Sequence, residues 1–406
     1  MKIAVYHNLP SGGAKRAVSE QITRLSAQHS LTLYSLNTAD HRFASKDTEM
    51  LVPNIIREFH PLPMAKSPFG RINPFLRLAN VLRLIILARK QAAEIDAQGY
   101  DVVLLQPCQF TQAPVQLLWL RTPSVYYCQE LPRILYEPPI IREVIKERLP
   151  KRLLNQIDIF PKIYIKIMRG IDRACGRRAT ILLANSRYTS EQISKAYSRQ
   201  VNVCYLGVDT EFFKPLSIER KGFVLSVGAL KREKGFDFII HALNTIPISE
   251  RPRLIITSNY QDADELKYLQ MLAHQSNIQV EFLFNISETE LRMLYAQAAC
   301  VAYAPIREPF GLVPLEAMAM GTPVVGVREG GIQETIVDGI SGISTPREPD
   351  LFGSAIRQLI SQRNYRENLG KTACGYVIEN WSWENHIVQL SRYLENASLH
   401  SKNSSS

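Results

Sequence analysis

The stretch that most constrains this chain runs from Arg307 to Gly342. It reads Arg-Glu-Pro-Phe-Gly-Leu-Val-Pro-Leu-Glu-Ala-Met-Ala-Met-Gly-Thr-Pro-Val-Val-Gly, then Glu329-Gly330-Gly331-Ile-Gln-Glu334 and Asp338-Gly339. Between Gly311 and Gly321 every residue but one is apolar, which calls for a helix buried on all sides. Pro314 is tolerated only in a first turn, so the helix begins near Gly311, and Gly321 with Pro323 ends it. Glu316 is then the one polar side chain of an interior helix. A buried carboxylate without a partner costs several kcal/mol, so Glu316 is either satisfied by the protein or reserved for a ligand. Gly311 offers no side-chain cap, and the bare N–H groups of a helix start suit a phosphate or a sugar hydroxyl. Glu308, next to Pro309, lies in a loop facing the same opening.

The spacing Glu-x7-Glu, set in Glu-Pro-Phe-Gly-x4-Glu-Ala-x-Ala-x-Gly-x-Pro-Val-Val, resembles the donor-sugar motif of glycosyltransferase family 4. The resemblance implies an α/β fold of the GT-B type, two facing Rossmann-like domains with a cleft between them, and a retaining glycosyltransferase. It also implies that Glu308 contacts the sugar hydroxyls of a nucleotide-sugar, that Glu316 holds the ribose diol, and that Phe310, Gly311 and Leu312 belong to the same donor-binding segment.

A chain of 406 residues is too long for one ordinary core, and two domains are the natural expectation. Cys108, Cys128, Cys175, Cys204, Cys300 and Cys374 form no C-x-x-C pair, which argues for free thiols in a reducing compartment and against a zinc site. The start is too short and too soon broken by Pro10 for a signal peptide, and no run reaches the ~18 apolar residues of a membrane span. We expect a cytoplasmic protein. The net charge of +10 is concentrated. Lys66, Arg71, Arg77, Arg83, Arg89 and Lys90 stand between Pro61 and Ala93 with no acid among them, and Arg142 to Arg178 holds eleven basic against four acidic residues.

In chain order, Lys2 to Tyr6 reads as a strand, and Ser11-Gly12-Gly13-Ala14 leads into a helix, a turn that lets backbone approach a ligand. There is no G-x-G-x-x-G. Gly-Gly-Ala here looks like the N-terminal loop of family 4, which lies under the donor diphosphate. Ile72 to Glu94 reads as a helix broken early by Pro74. Its apolar residues interleaved with arginine fit either an interfacial helix on anionic lipid or a crossover helix with a solvated basic face. Arg142 to Arg178 repeats that pattern and favours a membrane-facing acceptor domain, possible at the cytoplasmic membrane face. Nucleic acid is the competing anion, but no recognition module is present.

After the strand Ser124 to Cys128 comes Gln129-Glu130-Leu131-Pro132. The corresponding family turn often carries His near the transferred sugar, and Gln129 cannot titrate. Glu130 is the remaining ionisable candidate. Thr189 and Gln192 have capping-box spacing, as do Ser287 and Glu290. Gly207 and Pro215 fit a hinge. The second half restarts with a strand at Phe223 and the loop Gly228-Ala229-Leu230-Lys231-Arg232-Glu233-Lys234-Gly235. In the family this loop supplies an Arg and a Lys to the leaving diphosphate. Lys234 is in place; the Arg position is Ala229, and Lys231 or Arg232 is the substitute we expect. Asp262-Ala263-Asp264 matches a metal motif of the other glycosyltransferase fold, but it opens a helix where acids are favoured. The resemblance places the loop around Asn285 beside the nucleotide base.

The sequence thus leads us to expect an acceptor-side domain over 1–206, a donor domain over 207–383, a crossover helix at about 384–400 packing back on the first domain, and a disordered tail at 401–406. The catalytic candidates are Lys234, Glu308, Arg232 and Glu130. The donor-binding candidates are Glu316, Gly12, Gly13, Phe310, Gly311, Leu312 and Asn285. No metal and no cofactor are expected beyond a nucleotide-diphosphate-sugar co-substrate, and the acceptor is expected to be a glycan or lipid-linked. Two alternatives stand: a non-catalytic nucleotide-sugar-binding protein at a membrane, and a glycoside hydrolase using Glu308 and Glu316.

Overall fold

The structure is a computed structural model that describes residues 1–41, 51–66, 69–140 and 160–403. The chain divides into two compact units. The first contains Met1–Asn185, Thr189–Cys204 and Ile387–Ser406, and the second Ser186–Tyr188 and Tyr205–His386.

The first unit is built on β1 (Lys2–Asn8), β2 (Ser30–Leu36), β3 (Asn54–Arg57), β4 (Val102–Cys108), β5 (Ser124–Cys128), β6 (Ile181–Ala184) and β7 (Asn202–Val203), with α1 (Gly13–Leu25), α2 (Asn73–Ala97), α3 (Arg133–Tyr136), α4 (Phe160–Arg178) and α5 (Arg187–Tyr197). Its strands run parallel in the order β3-β2-β1-β4-β5-β6-β7. Parallel strands covered on both faces are apolar without alternation, and β4 and β5 are buried along their whole length. The core between sheet and helices is filled by Tyr6, Tyr34, Tyr126, Tyr197 and the aliphatic residues around them.

The second unit repeats the plan with β8 (Val224–Val227), β9 (Leu254–Ser258), β10 (Val280–Phe284), β11 (Cys300–Tyr303), β12 (Val324–Val327) and β13 (Ile343–Thr345). The helices between them are α6 (Phe236–Asn244), α7 (Ala263–Gln275), α8 (Glu288–Gln297), α9 (Leu312–Ala319) and α10 (Ile332–Thr335); α11 (Pro349–Ser361), α12 (Arg363–Asn380) and α13 (Trp383–Asn403) follow. The order is β10-β9-β8-β11-β12-β13, again all parallel. In both sheets the first strand has neighbours whose connections run in opposite directions. Loops part at such a switch point, and ligands of open α/β sheets bind there, outside the strands' carboxyl ends. In the first unit it lies between β1 and β4, in the second between β8 and β11.

Several local expectations are corrected. Pro74 does not break α2; it occupies the first turn, where its missing N–H costs nothing. Thr189 lies inside α5, which begins at Arg187, so it is not an N-cap. Asp262-Ala263-Asp264, by contrast, opens a helix as expected: Asp262 accepts from the backbone N–H groups of Asp264 and Glu265 at the start of α7. Ser287 and Glu290 do form a reciprocal capping box on α8. The helix α13 runs to Asn403, three residues into the expected tail, and only 404–406 lie outside the described residues. Its residues from Ile387 onward group with the first unit, where Gln389 Nε2 donates to the Val203 carbonyl. Of the basic segment Arg142 to Arg178, the part before Phe160 lies outside the described residues. All six cysteines are free and buried.

Candidate functional site

The second unit's switch point is flanked by two loops, each of which delivers one charged side chain. After β8, the chain turns through Gly228 and Ala229 into a short 3-10 turn, Arg232–Lys234, that ends on Gly235. Gly235 has φ of 66°, and a Cβ there would lie 2.1 Å from the Ala304 carbonyl oxygen, so only glycine fits. That close approach brings the β8 loop against the β11 loop, where the Ile306 N–H donates to the Glu233 carbonyl at 2.7 Å. Lys234 then reaches across the switch point: its Nζ donates to both carboxylate oxygens of Glu308, at 3.1 and 2.9 Å. The pair is partly buried, with side chains 23% and 12% exposed. Arg232 is exposed beside it.

The position of Glu308 is set from below by the Gly330–Gly331 turn after β12. The Gly331 N–H donates to the Glu308 carbonyl at 2.8 Å. A Cβ on Gly330 would meet the Glu308 carbonyl oxygen at 2.5 Å, and one on Gly331 the Pro309 oxygen at 2.1 Å. The glycine pair that the sequence carries downstream of the donor segment is therefore a packing requirement of Glu308.

Gly311 caps α9 without any side-chain hydrogen bond, its φ at 101°. Glu316 is 4% exposed, and Tyr295 of α8 donates its hydroxyl to Glu316 Oε2 at 2.8 Å. The buried carboxylate thus has a hydrogen-bond partner within the protein. The Phe310 ring is buried and faces the rings of Tyr205 and Trp381 at 6.3 and 5.6 Å, so any part it plays in binding belongs to its backbone. Leu312 opens α9, and exposed Asn285, at φ of 53°, is fixed by its N–H to the Ser258 carbonyl.

Two arginines were not singled out by sequence reasoning. Arg347, just past β13, donates from Nε and Nη2 to the Glu329 carboxylate at 2.6 and 2.8 Å, from Nη1 to the Ala304 carbonyl at 2.9 Å, and from Nη2 to the Pro305 carbonyl at 2.8 Å. One planar guanidinium thereby joins the loops after β11, β12 and β13, the loops that hold Glu308. Arg220 donates to the carbonyls of Ala298 and Gly321 and to Thr322 Oγ1, closing the ends of α8 and α9 together. Neither residue stands in a periodic pattern, and the only available signal was an arginine among turn residues.

In the first unit, Gly12 is the N-cap of α1, again without a side-chain bond, and Gly13 is its first residue. Behind this turn Lys15 is fully buried, with Nζ 3.2 Å from His7 Nε2. Burial first, and then the charges of Lys15 and His41, push the His7 imidazole well below its ordinary range, so it is neutral. Gln129 is also buried. Its Nε2 donates to Gln106 Oε1 at 3.1 Å, and Gln106 donates in turn to Gln21 Oε1 at 2.7 Å. Glu130 is joined to Arg133 at the start of α3. Among the described residues no group of three or more His, Cys, Asp or Glu side chains is placed to hold a metal ion.

Residues 208–376 match the family model described as glycosyl transferases group 1. Among curated proteins, the chain is 33% identical over 203 residues to an uncharacterised glycosyltransferase of Methanocaldococcus jannaschii, an alignment covering 46% of this chain and 51% of that protein. It is 27% identical over 272 residues to the human alpha-1,3/1,6-mannosyltransferase, covering 60% of this chain and 65% of that one. The chain thus spans about half of the first relative and just under two thirds of the second. Among solved structures, sucrose-phosphate synthase from Thermosynechococcus elongatus superimposes with a TM-score of 0.75 at 17% identity, covering 98% of both chains. The Anabaena protein HepE, solved with UDP and glucose, superimposes with a TM-score of 0.68 at 19% identity, covering 98% of this chain and 100% of that one. The fold of the chain is of the GT-B type.

Proposed function

We propose, from the match of residues 208–376 to the family model of group 1 glycosyl transferases, that the protein belongs to that family and moves a sugar from a nucleotide-diphosphate-sugar to a glycan or lipid-linked acceptor at a membrane surface, with retention of configuration. The observation that carries the reading is the Lys234–Glu308 pair at the second unit's switch point. It sets a cation for a diphosphate next to a carboxylate for sugar hydroxyls, each delivered by its own loop.

The chemistry follows from those charges. As the bond from the anomeric carbon to the diphosphate oxygen breaks, negative charge grows on the leaving group. Lys234 and Arg232 oppose that charge, and the uncapped start of α9 at Gly311 adds backbone N–H groups. Glu308 accepts from sugar hydroxyls. Glu316, with Oε2 already accepting from Tyr295, holds the ribose diol. The acceptor oxygen attacks from the face the diphosphate leaves, and its proton passes to the departing phosphate oxygen, so configuration is kept without a protein nucleophile. On the first unit, Gly12 and Gly13 offer backbone N–H groups at the start of α1, and Glu130 accepts from an acceptor hydroxyl. In this scheme protein cations meet the diphosphate charge, and transfer needs no metal.

The test is a screen of nucleotide-sugars with extracted lipids, reading nucleoside diphosphate release with and without a chelator and the anomeric configuration of the product by NMR. Release matched by a retained product, unaffected by chelation, is expected. Free sugar without nucleotide release would put a glycoside hydrolase in its place. Nucleotide binding without turnover would support the non-catalytic alternative, which Ala229 and the buried Gln129 favour.

A further inference from the structure

Two helices of the first unit carry apolar residues on the side turned away from their core. In α2 the inner stripe is Val81, Leu84, Ala88, Ala92 and Ile95, all buried. A second stripe, Ile72 at the helix cap with Phe75, Leu82 and Ile86 on the helix, recurs at helical spacing and is exposed. In α4 the inner residues are Met168, Asp172 and Cys175, whereas Phe160, Ile163 and Ile167 are exposed. These seven side chains are between 41% (Phe160) and 62% (Ile86) exposed. Phe75 and Phe160 touch, ring centroids 4.9 Å apart, so the two stripes meet.

Among the described residues the exposed charges of these two helices have one sign. Lys66, Arg71, Arg83, Arg89 and Lys90 on or beside α2, and Lys162, Lys166, Arg173, Arg177 and Arg178 on α4, are exposed. The acids of these helices are committed elsewhere. Asp172 is buried and accepts from the Tyr136 hydroxyl and the Ala113 N–H. Glu94 is paired with Arg57, and Asp96 accepts from the N–H groups of Arg121 and Thr122. A solvated crossover helix accounts for the cations but not for seven exposed large apolar side chains in register with them. An interfacial helix requires both.

We propose that the outer faces of α2 and α4 form one docking face for an anionic lipid bilayer, the apolar ridge entering at headgroup depth and the flanking cations meeting lipid phosphates; this deepens the membrane-surface reading above. Charge complementarity selects an anionic bilayer over a neutral one, because each Lys or Arg held near an anionic surface strengthens binding about fivefold and the effect fades within a Debye length.

The experiment is co-sedimentation of the full chain with vesicles of phosphatidylglycerol and phosphatidylcholine, against phosphatidylcholine alone, at low and high salt. We expect binding to the anionic vesicles only, released by salt. It should weaken about fivefold for each of Lys162→Gln and Lys166→Gln and fall further for Leu82→Ser with Ile163→Ser, with unchanged melting temperatures because all four side chains are exposed. Equal binding to neutral vesicles, no binding to either, or self-association that Leu82→Ser abolishes in the absence of lipid would overturn the proposal, the last assigning the face to a second copy of the chain. Vesicle binding is read without donor or acceptor, so its outcome is independent of whether transfer is detected.

Discussion

The two units share a parallel doubly wound sheet and a switch point beside the first strand, yet they fill that point with opposite chemistry. In the second unit the loops bring up full charges, Lys234 against Glu308, supported by glycines that admit no Cβ and by the fourfold grip of Arg347. In the first unit the same place holds neutral amides, Gln129, Gln106 and Gln21, and a histidine kept uncharged beside a buried lysine. Topology fixes where a ligand sits, and the side chains decide what it is. A charged, braced switch point suits a departing diphosphate. One lined by amides offers hydrogen-bond donors and acceptors instead.

The contrast breaks most readily at Lys234. Lys234→Ala should lower turnover at least ~100-fold, the typical cost of losing one preorganised donor to developing charge. Unchanged steady-state rates would remove the lysine from the site. Next is Arg347→Lys, which keeps the charge but cannot span four acceptors. We expect a loss of stability of about 1–3 kcal/mol, from carbonyls left unpaired, together with a fall in kcat/KM for the donor that exceeds the folded fraction lost. Parallel loss of fold and activity would make Arg347 a stabilising residue alone.

On the neutral side, Gln129→Leu leaves Gln106 short of a partner and should cost about 1–3 kcal/mol in denaturant unfolding, while turnover per folded molecule changes little. A drop like that of Lys234→Ala would mean that the two switch points are not chemically distinct. The smallest effect concerns pH. Because His7 stays neutral in the folded chain but binds a proton at its ordinary value of about 6.5 when unfolded, stability should fall as pH drops below that value, and His7→Gln should flatten the fall. Asp172, raised by burial to about 6, titrates in the opposite sense between about 4 and 6. The informative quantity is therefore the difference in melting curves between variant and wild type, and identical acid limbs would show that His7 does not drive them.

How far the sequence reached follows from where each constraint is written. The bounds of α9 were legible because Pro314 and Gly321 act on their own backbone. Ser287 and Glu290 were legible as a cap for the same reason, since both partners lie within one turn. Thr189 shows the limit of that rule, because spacing alone does not reveal where a helix begins. The reasons behind Gly330 and Gly331, the Tyr295 hydroxyl on Glu316 and the reach of Arg347 depend on residues 18 or more positions away, brought near only by the parallel sheet. Phe310 stood inside the donor motif yet turned its ring into the core, since a motif records position and not direction. The outer stripe of α2 was visible as apolar residues among arginines, but which of them faced outward was settled only by packing.

The account rests on Glu316 being held ready for a ribose by a buried helix. The direct measurement is calorimetric titration of a panel of nucleoside diphosphates into wild type and Glu316→Gln. At least one diphosphate should bind wild type and bind the variant about 10- to 100-fold more weakly, the worth of a hydrogen bond to a charged group, with the unliganded melting temperature little changed. Equal affinity in the two proteins, or a variant that unfolds, would mean that Glu316 serves Tyr295 and the fold and holds no nucleotide.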